Sequence, residues 1–99
     1  MGLVITRRAE ESVDIGTDIR VTLLGITPDK HARLSIFRDG GAGVVVPRGV
    51  GEIAKIDDER EIKVCGVRDR QVTLNIEAPR NEAIVRTELY ARDAAAAAG

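Results

Sequence analysis

Gln71-Val72-Thr73-Leu74-Asn75-Ile76-Glu77-Ala78-Pro79 is the stretch whose reading decides the fold. Val72, Leu74 and Ile76 alternate with Thr73, Asn75 and Glu77. A period of two marks a strand with one buried face. Ala78-Pro79 ends it, because proline cannot donate to a sheet ladder, and Arg80 and Asn81 continue as a turn. A short apolar run, Ala83-Ile84-Val85, then closes on Arg86. Upstream, Ile62, Val64 and Gly66 alternate in the same way. So do Ile19, Val21 and Leu23, and again Ala32, Leu34 and Ile36. Shorter strands are expected at Leu3 to Thr6, Val13 to Ile15, Val44 to Val46 and Ile53 to Ile56. Gly16 and the Thr27-Pro28-Asp29-Lys30 group are turns, and Arg38 to Gly43 is a glycine-rich linker. Only beyond Arg86 do helix formers dominate, with Thr87 as a cap and the alanines Ala94 to Ala98 at the end. The expected fold is all-β: small intertwined antiparallel sheets or a barrel-like sandwich, with a short C-terminal helix.

The chain has 99 residues, enough for one small domain and too few for two independent cores. Lys plus Arg is 15 and Asp plus Glu is 16, a formal charge of -1, so no general basic field attracts polyanions. One cysteine, Cys65, excludes an internal disulfide and a thiolate-rich metal site. One histidine, His31, leaves few routes to acid-base catalysis. A single Phe, a single Tyr and no Trp exclude an extended base-stacking platform. No long apolar segment is present to span a membrane. These features point to a cytoplasmic, non-enzymatic protein without metal or cofactor.

A shift of 41 residues lays Leu3 on Val44, Ile5 on Val46, Arg7 on Arg48 and Glu11 on Glu52. Ile15 then falls on Ile56, Leu23 on Val64 and Gly25 on Gly66. Dropping one residue in the next turn lays His31 on Gln71, Leu34 on Leu74 and Ile36 on Ile76. Residues 1–43 read as a truncated repeat lacking a last strand. Residues 44–92 read as a fuller repeat ending in the helix, and 93–99 as an Ala-rich tail. Neither repeat can cover its own sheet edges, so the two are expected to intertwine as one folded unit.

Several segments together resemble the carbon storage regulator family (CsrA and RsmA). Leu3-Val4-Ile5-Thr6-Arg7-Arg8 is similar to the family's opening strand, and Asp14-Ile15-Gly16 with Asp18 to its second. Gln71 to Pro79 followed by Ala83 to Tyr90 is similar to its closing segment. The resemblance implies five-stranded chains interlocked as a dimer, each ending in a short helix. It also implies sequence-specific binding of GGA in single-stranded or hairpin-loop RNA, in an mRNA or a small regulatory RNA, and post-transcriptional control of translation. The positions it marks for RNA are Val4, Ile5, Thr6, Arg7 and Arg8, with Ala78, Pro79, Arg80, Ile84, Val85 and Arg86. Protein antagonists are known partners of the family.

Departures from the pattern carry information. Val85 stands where the family has histidine, and Glu10-Glu11 where it has Gly-Glu. In the second copy the Thr-Arg-Arg positions hold Pro47, Arg48 and Gly49, a degenerate second site. Two arrangements follow. In the favoured one, a single chain folds as a monomeric pseudo-dimer. In the other, two chains form a homodimer around an inserted middle segment. Arg86 is expected to matter far more to RNA than Arg20. His31 reads as a surface turn residue, Cys65 as a semi-buried strand residue and the Asp57, Asp58, Glu59, Glu61 group as a charged turn. The competing function is a protein-interaction module of the same fold with weak or no RNA binding.

Overall fold

The computed structural model of the chain describes residues 2–39, 41 and 43–86. They form nine strands: β1 (Gly2–Arg8), β2 (Ser12–Ile15), β3 (Ile19–Ile26), β4 (Ala32–Arg38), β5 (Val44–Arg48), β6 (Ile53–Lys55), β7 (Glu61–Arg68), β8 (Gln71–Glu77) and β9 (Ile84–Arg86). One sheet has the order β1-β8-β7-β6 and the other β5-β4-β3-β2-β9, with every pair antiparallel. No helix occurs among the described residues. The expected terminal helix and the 93–99 tail lie outside them.

The two halves of the chain exchange strands. β1 leaves β2, β3 and β4 and pairs with β8 in full register, from Gly2 opposite Glu77 to Arg8 opposite Gln71. β5 crosses to β4, and β9 returns to β2. The period-two pattern dictates which side chains turn inward. Ile5, Val13, Ile15, Ile19, Val21, Leu23, Leu34, Ile62, Val64, Val72, Leu74 and Ile76 from both sheets share one buried cluster. This burial is the main favourable term in folding. Because each sheet contains strands from both halves, neither half holds its apolar face away from water without the other.

Local bonding recurs 41 residues along. The Glu10 N–H donates to Leu23 O at 2.6 Å and the Gly51 N–H to Val64 O at 2.7 Å. The Leu23 N–H donates to Glu11 O, and the Val64 N–H to Glu52 O, both at 3.0 Å. The carboxylate of Glu11 accepts from the Arg8 N–H at 2.7 Å, and that of Glu52 from the Gly49 N–H at 2.5 Å. Each corner needs one left-handed residue, Glu10 (φ 72°) in one and Gly51 (φ 88°) in the other. Each facing strand carries a register shift, between Leu23 and Gly25 and between Val64 and Gly66. Such a shift leaves one residue unpaired and bends the strand. Cys65 is that residue in β7, and it is exposed, not semi-buried as expected; period two with buried Ile62 and Val64 turns it outward.

Candidate nucleic-acid interface

Among the described residues β1 and β9 are both edge strands, one in each sheet, so each has one side with no neighbouring strand among them. In β1 the pleat sends Val4, Thr6 and Arg8 to the outer face, where all three are exposed, Val4 to 64%. It sends Ile5 and Arg7 inward, where only 4% and 5% of their surfaces remain accessible. In β9, Ile84 stands opposite Ile15, Val85 opposite Asp14 and Arg86 opposite Val13. The Gly16 N–H donates to Ala83 O at 2.8 Å and fixes the start of the strand.

The two edges lie on one flank of the sandwich. Arg7 reaches from β1 to Ser12 O at the start of β2, next to the residue that faces Arg86. A cleft of about 230 Å³ joins Gly2 and Leu3 to Pro79, Arg80, Glu82 and Ile84. The structure thus gathers β1, the Pro79-Arg80 turn and β9. Ala78 is buried at the head of that turn.

The arginines differ in what already holds them. Arg7 donates from Nε to Thr6 O at 2.9 Å and from Nη1 to Ser12 O at 3.2 Å, and its Nε lies 3.9 Å from Glu11. Arg48 repeats the arrangement, with Nη1 on Pro47 O at 2.7 Å and Nε on Ile53 O at 2.9 Å. Both guanidiniums therefore staple a corner between sheets. Arg8 is exposed. With the Gln71 amide turned so that its oxygen faces the guanidinium, that oxygen accepts from Nη2 at 2.9 Å and Nε at 3.1 Å. Arg86 and Arg80 are exposed and make no side-chain hydrogen bond or ion pair among the described residues.

Glu82 is held by Arg60. Arg60 donates from Nε and Nη2 to the two Glu82 oxygens, each at 2.7 Å, and from Nη1 to Asp18 at 3.2 Å. The Glu82 hydrogen bond, followed by Asp18, holds the Arg60 pKa above its ordinary value despite burial. The N–H of Glu59 and then that of Arg60 hold the Asp57 carboxyl below the usual carboxylate range. Arg20 pairs with Asp14 at 2.8 Å, and that hydrogen bond raises the arginine pKa. Asp14 stands opposite Val85, so Arg20 backs β9 and is not remote from the flank.

The opposite flank carries β5 and β6. Pro47 occupies the position matching Thr6 and has no N–H to offer. Gly49 stands where Arg8 does in the first corner, and its N–H is taken by Glu52. No described strand lies beside β6, so the four-stranded sheet has no counterpart of β9. Sequence reasoning missed Arg60, hidden in an acidic turn, and the pair Arg68 and Arg70 flanking the β7–β8 hairpin. The available signal for the second was two closely spaced cations, Arg68 at the end of β7 and Arg70 in the two-residue turn before β8.

These features define a class: a small all-β chain whose halves exchange strands and whose paired edges carry arginines on one flank. A profile of CsrA, described as a global regulator protein family, matches residues 44–95, which include β5 to β9. A protein named Translational regulator CsrA, from Geobacter sulfurreducens, is 43% identical over 47 residues, covering 48% of this chain and 60% of that protein. The match therefore spans less than two thirds of that relative's length. No solved structure matches the chain. The chain belongs to the CsrA family of global regulators.

Proposed function

We propose that this chain binds RNA and regulates translation by holding a GGA-type motif of a single strand or hairpin loop against the β1 and β9 edges. The observation that carries the reading is the meeting on one flank of two strands that are sheet edges among the described residues, with Arg8 and Arg86 exposed beside them. Loop bases are unstacked and present their hydrogen-bonding edges, unlike bases in an A-form duplex. An open strand edge offers N–H and C=O groups to them. A guanidinium adds a rigid fork of donors and a flat face for stacking. Val4, Thr6 and Arg8 contribute side chains on the outer face. Ile5 contributes backbone only. Arg7 acts as a positioning residue that keeps the corner in place. Ala78, Pro79 and Arg80 shape the approach to β9, where Ile84, Val85 and Arg86 complete the site. The RNA is an mRNA or a small regulatory RNA in the cytoplasm, and a protein antagonist that covers the same flank fits the family.

The same reading treats the molecule as a single-chain pseudo-dimer, built from an incomplete unit over 1–43 and a fuller unit over 44–92. The recurrence of corner bonds, bulges and left-handed residues at 41-residue spacing supports it. On the opposite flank Pro47, Arg48 and Gly49 leave the second site without its edge donor and without a second cation, so one RNA binds per chain.

The test is affinity for a short hairpin with GGA in its loop against the same hairpin with GGA disrupted. Arg86→Ala is expected to weaken GGA binding by about 1–3 kcal/mol, roughly fivefold to 150-fold, and to erase the preference. Lys55→Ala, at the far edge of the other sheet, removes equal charge and is the control. Equal losses for the two variants contradict the assignment. One observation favours the second reading, a protein-interaction module: Val44, Val45, Val50 and Ile53 are large exposed apolar residues on or between β5 and β6. Absence of any GGA preference transfers the conclusion to that reading.

A further inference from the structure

Charge in this nearly neutral chain is distributed by end. At the end holding the turns after β2 and β6, the arginines are neutralised. Arg60 is held by Glu82 and Asp18, Arg38 by Asp57 at 3.4 Å, and Arg20 by Asp14. At the other end, the β3–β4 turn and the β7–β8 hairpin stand beside each other. A cleft of about 560 Å³ lies between them, bordered by Thr27, Lys30, Arg68 and Arg70, with Ile26 and Val67 at its apolar base. A second cleft continues from it past Arg68 and Arg70 to Arg8 and Gln71. Lys30, Arg68 and Arg70 are exposed and make no side-chain hydrogen bond or ion pair among the described residues. Of the nearby carboxylates, Asp29 is engaged by the Thr27 hydroxyl and by His31, which leaves Asp69 in the cleft.

The placement is asymmetric. Arg68 and Arg70 flank the hairpin next to β1, and Arg8, Gln71 and Arg68 form one cross-strand row on the outer face. The corresponding turn beside β5 carries Asp29 with Lys30 and ends in His31, whose ring faces both Asp29 and Glu52. Arg33, Lys55 and Lys63 are also exposed without a side-chain partner among the described residues, but none of them lines either cleft, whereas Lys30, Arg68 and Arg70 border the clefts that run to Arg8.

We infer that the cleft between the two hairpins is a phosphate-binding track for the RNA backbone outside the GGA motif, with Arg68, Arg70 and Lys30 as its contacts. The inference rests on the RNA-binding reading and extends it. Arg8 is the junction: it lies at the end of the base-reading strand and at the mouth of the track. A run of phosphates suits the surface better than one small anion, because the cations line two joined clefts and do not converge on a point. Such contacts position the strand and add affinity without adding base specificity.

The experiment compares two linear RNAs, a GGA oligomer of roughly six nucleotides and the same sequence with about six unstructured nucleotides added at each end. The variants are Arg68→Ala/Arg70→Ala, Lys30→Ala and the charge-keeping Arg68→Lys/Arg70→Lys, each checked for an unchanged thermal melt. The double alanine variant is expected to bind the short RNA within about twofold of the parent and the long RNA about tenfold more weakly. The slope of log affinity against log salt for the long RNA should shrink by about 1.5, the effect of losing two phosphate contacts. The lysine pair should restore most of the loss, and Lys30→Ala should give a smaller loss of the same kind. Equal weakening on both RNAs, or none on the long one, overturns the track while leaving the GGA site standing. If the unsubstituted chain prefers GGA in neither RNA, the RNA reading fails and the track fails with it.

Discussion

Glu10 and Gly51 stand at equivalent corners and make equivalent bonds, yet only one has the side chain suited to its backbone. A φ of 72° is a strained conformation for glutamate, whereas 88° costs glycine little. Glu10→Gly should therefore stabilise the chain by up to about 1 kcal/mol, and Gly51→Ala should destabilise it by about 1 kcal/mol or more. Denaturant melts of both variants measure this, and a loss of stability for Glu10→Gly would contradict the reading of the corners. In the core, Leu74 is sealed between the sheets, and Leu74→Ala should cost about 2–5 kcal/mol in the same assay. At this scale the sequence was legible where alternation decides: Leu23, Leu34, Leu74 and Ile76 all point inward as expected. Arg7 was assigned to RNA through family resemblance. Its parity with Ile5 already places it on the inner face, where backbone carbonyls at Thr6 and Ser12 engage it.

Strand existence and strand partnership are different problems. Period two shows that Leu3 to Thr6 and Gln71 to Glu77 are strands, but it does not pair them. The need to cover edges that neither half of the chain can cover alone argued only that the halves intertwine, and the partners are read from the structure. The Arg60 cluster was invisible because its partners, Asp18 and Glu82, are 42 and 22 residues away in sequence. It ties the β6–β7 turn to the β2–β3 turn and to the connection leading into β9. Arg60→Ala should lower stability by roughly 1–3 kcal/mol, a fall of about 4–8 °C per kcal/mol in a domain of this size. It should also weaken RNA binding by loosening β9. Melting temperature and GGA affinity read the two effects separately. Asp57 gives the pH dependence. Its folded pKa is depressed, so its contribution is complete above the ordinary carboxylate value of about 4 and is lost as pH falls through the lower folded value. Asp57→Asn should melt below the parent at neutral pH and converge with it as the pH falls well below the ordinary carboxylate value. A gap that persists in acid would show that the carboxylate charge is not what stabilises the turn.

For the molecule as a whole, strand exchange makes two half-sheets depend on one core, and under the proposed function it would also set the number of binding flanks. One five-stranded sheet ends in β9, whereas the four-stranded sheet stops at β6. The sequence expectation of an unequal repeat, in which the run Val44 to Val46 opens the second half before the first can acquire a closing strand, is compatible with that inequality. The distribution of charge between the two ends was not legible from a net charge of -1, since it depends on which turns the fold brings together. The central claim is that one chain supplies both halves of the family core and keeps one working RNA flank. Native mass spectrometry of the chain, alone and titrated with a short GGA hairpin, tests it most directly. The account predicts a single chain that takes up one hairpin and ignores the GGA-disrupted control. A complex of two chains with two hairpins would contradict it.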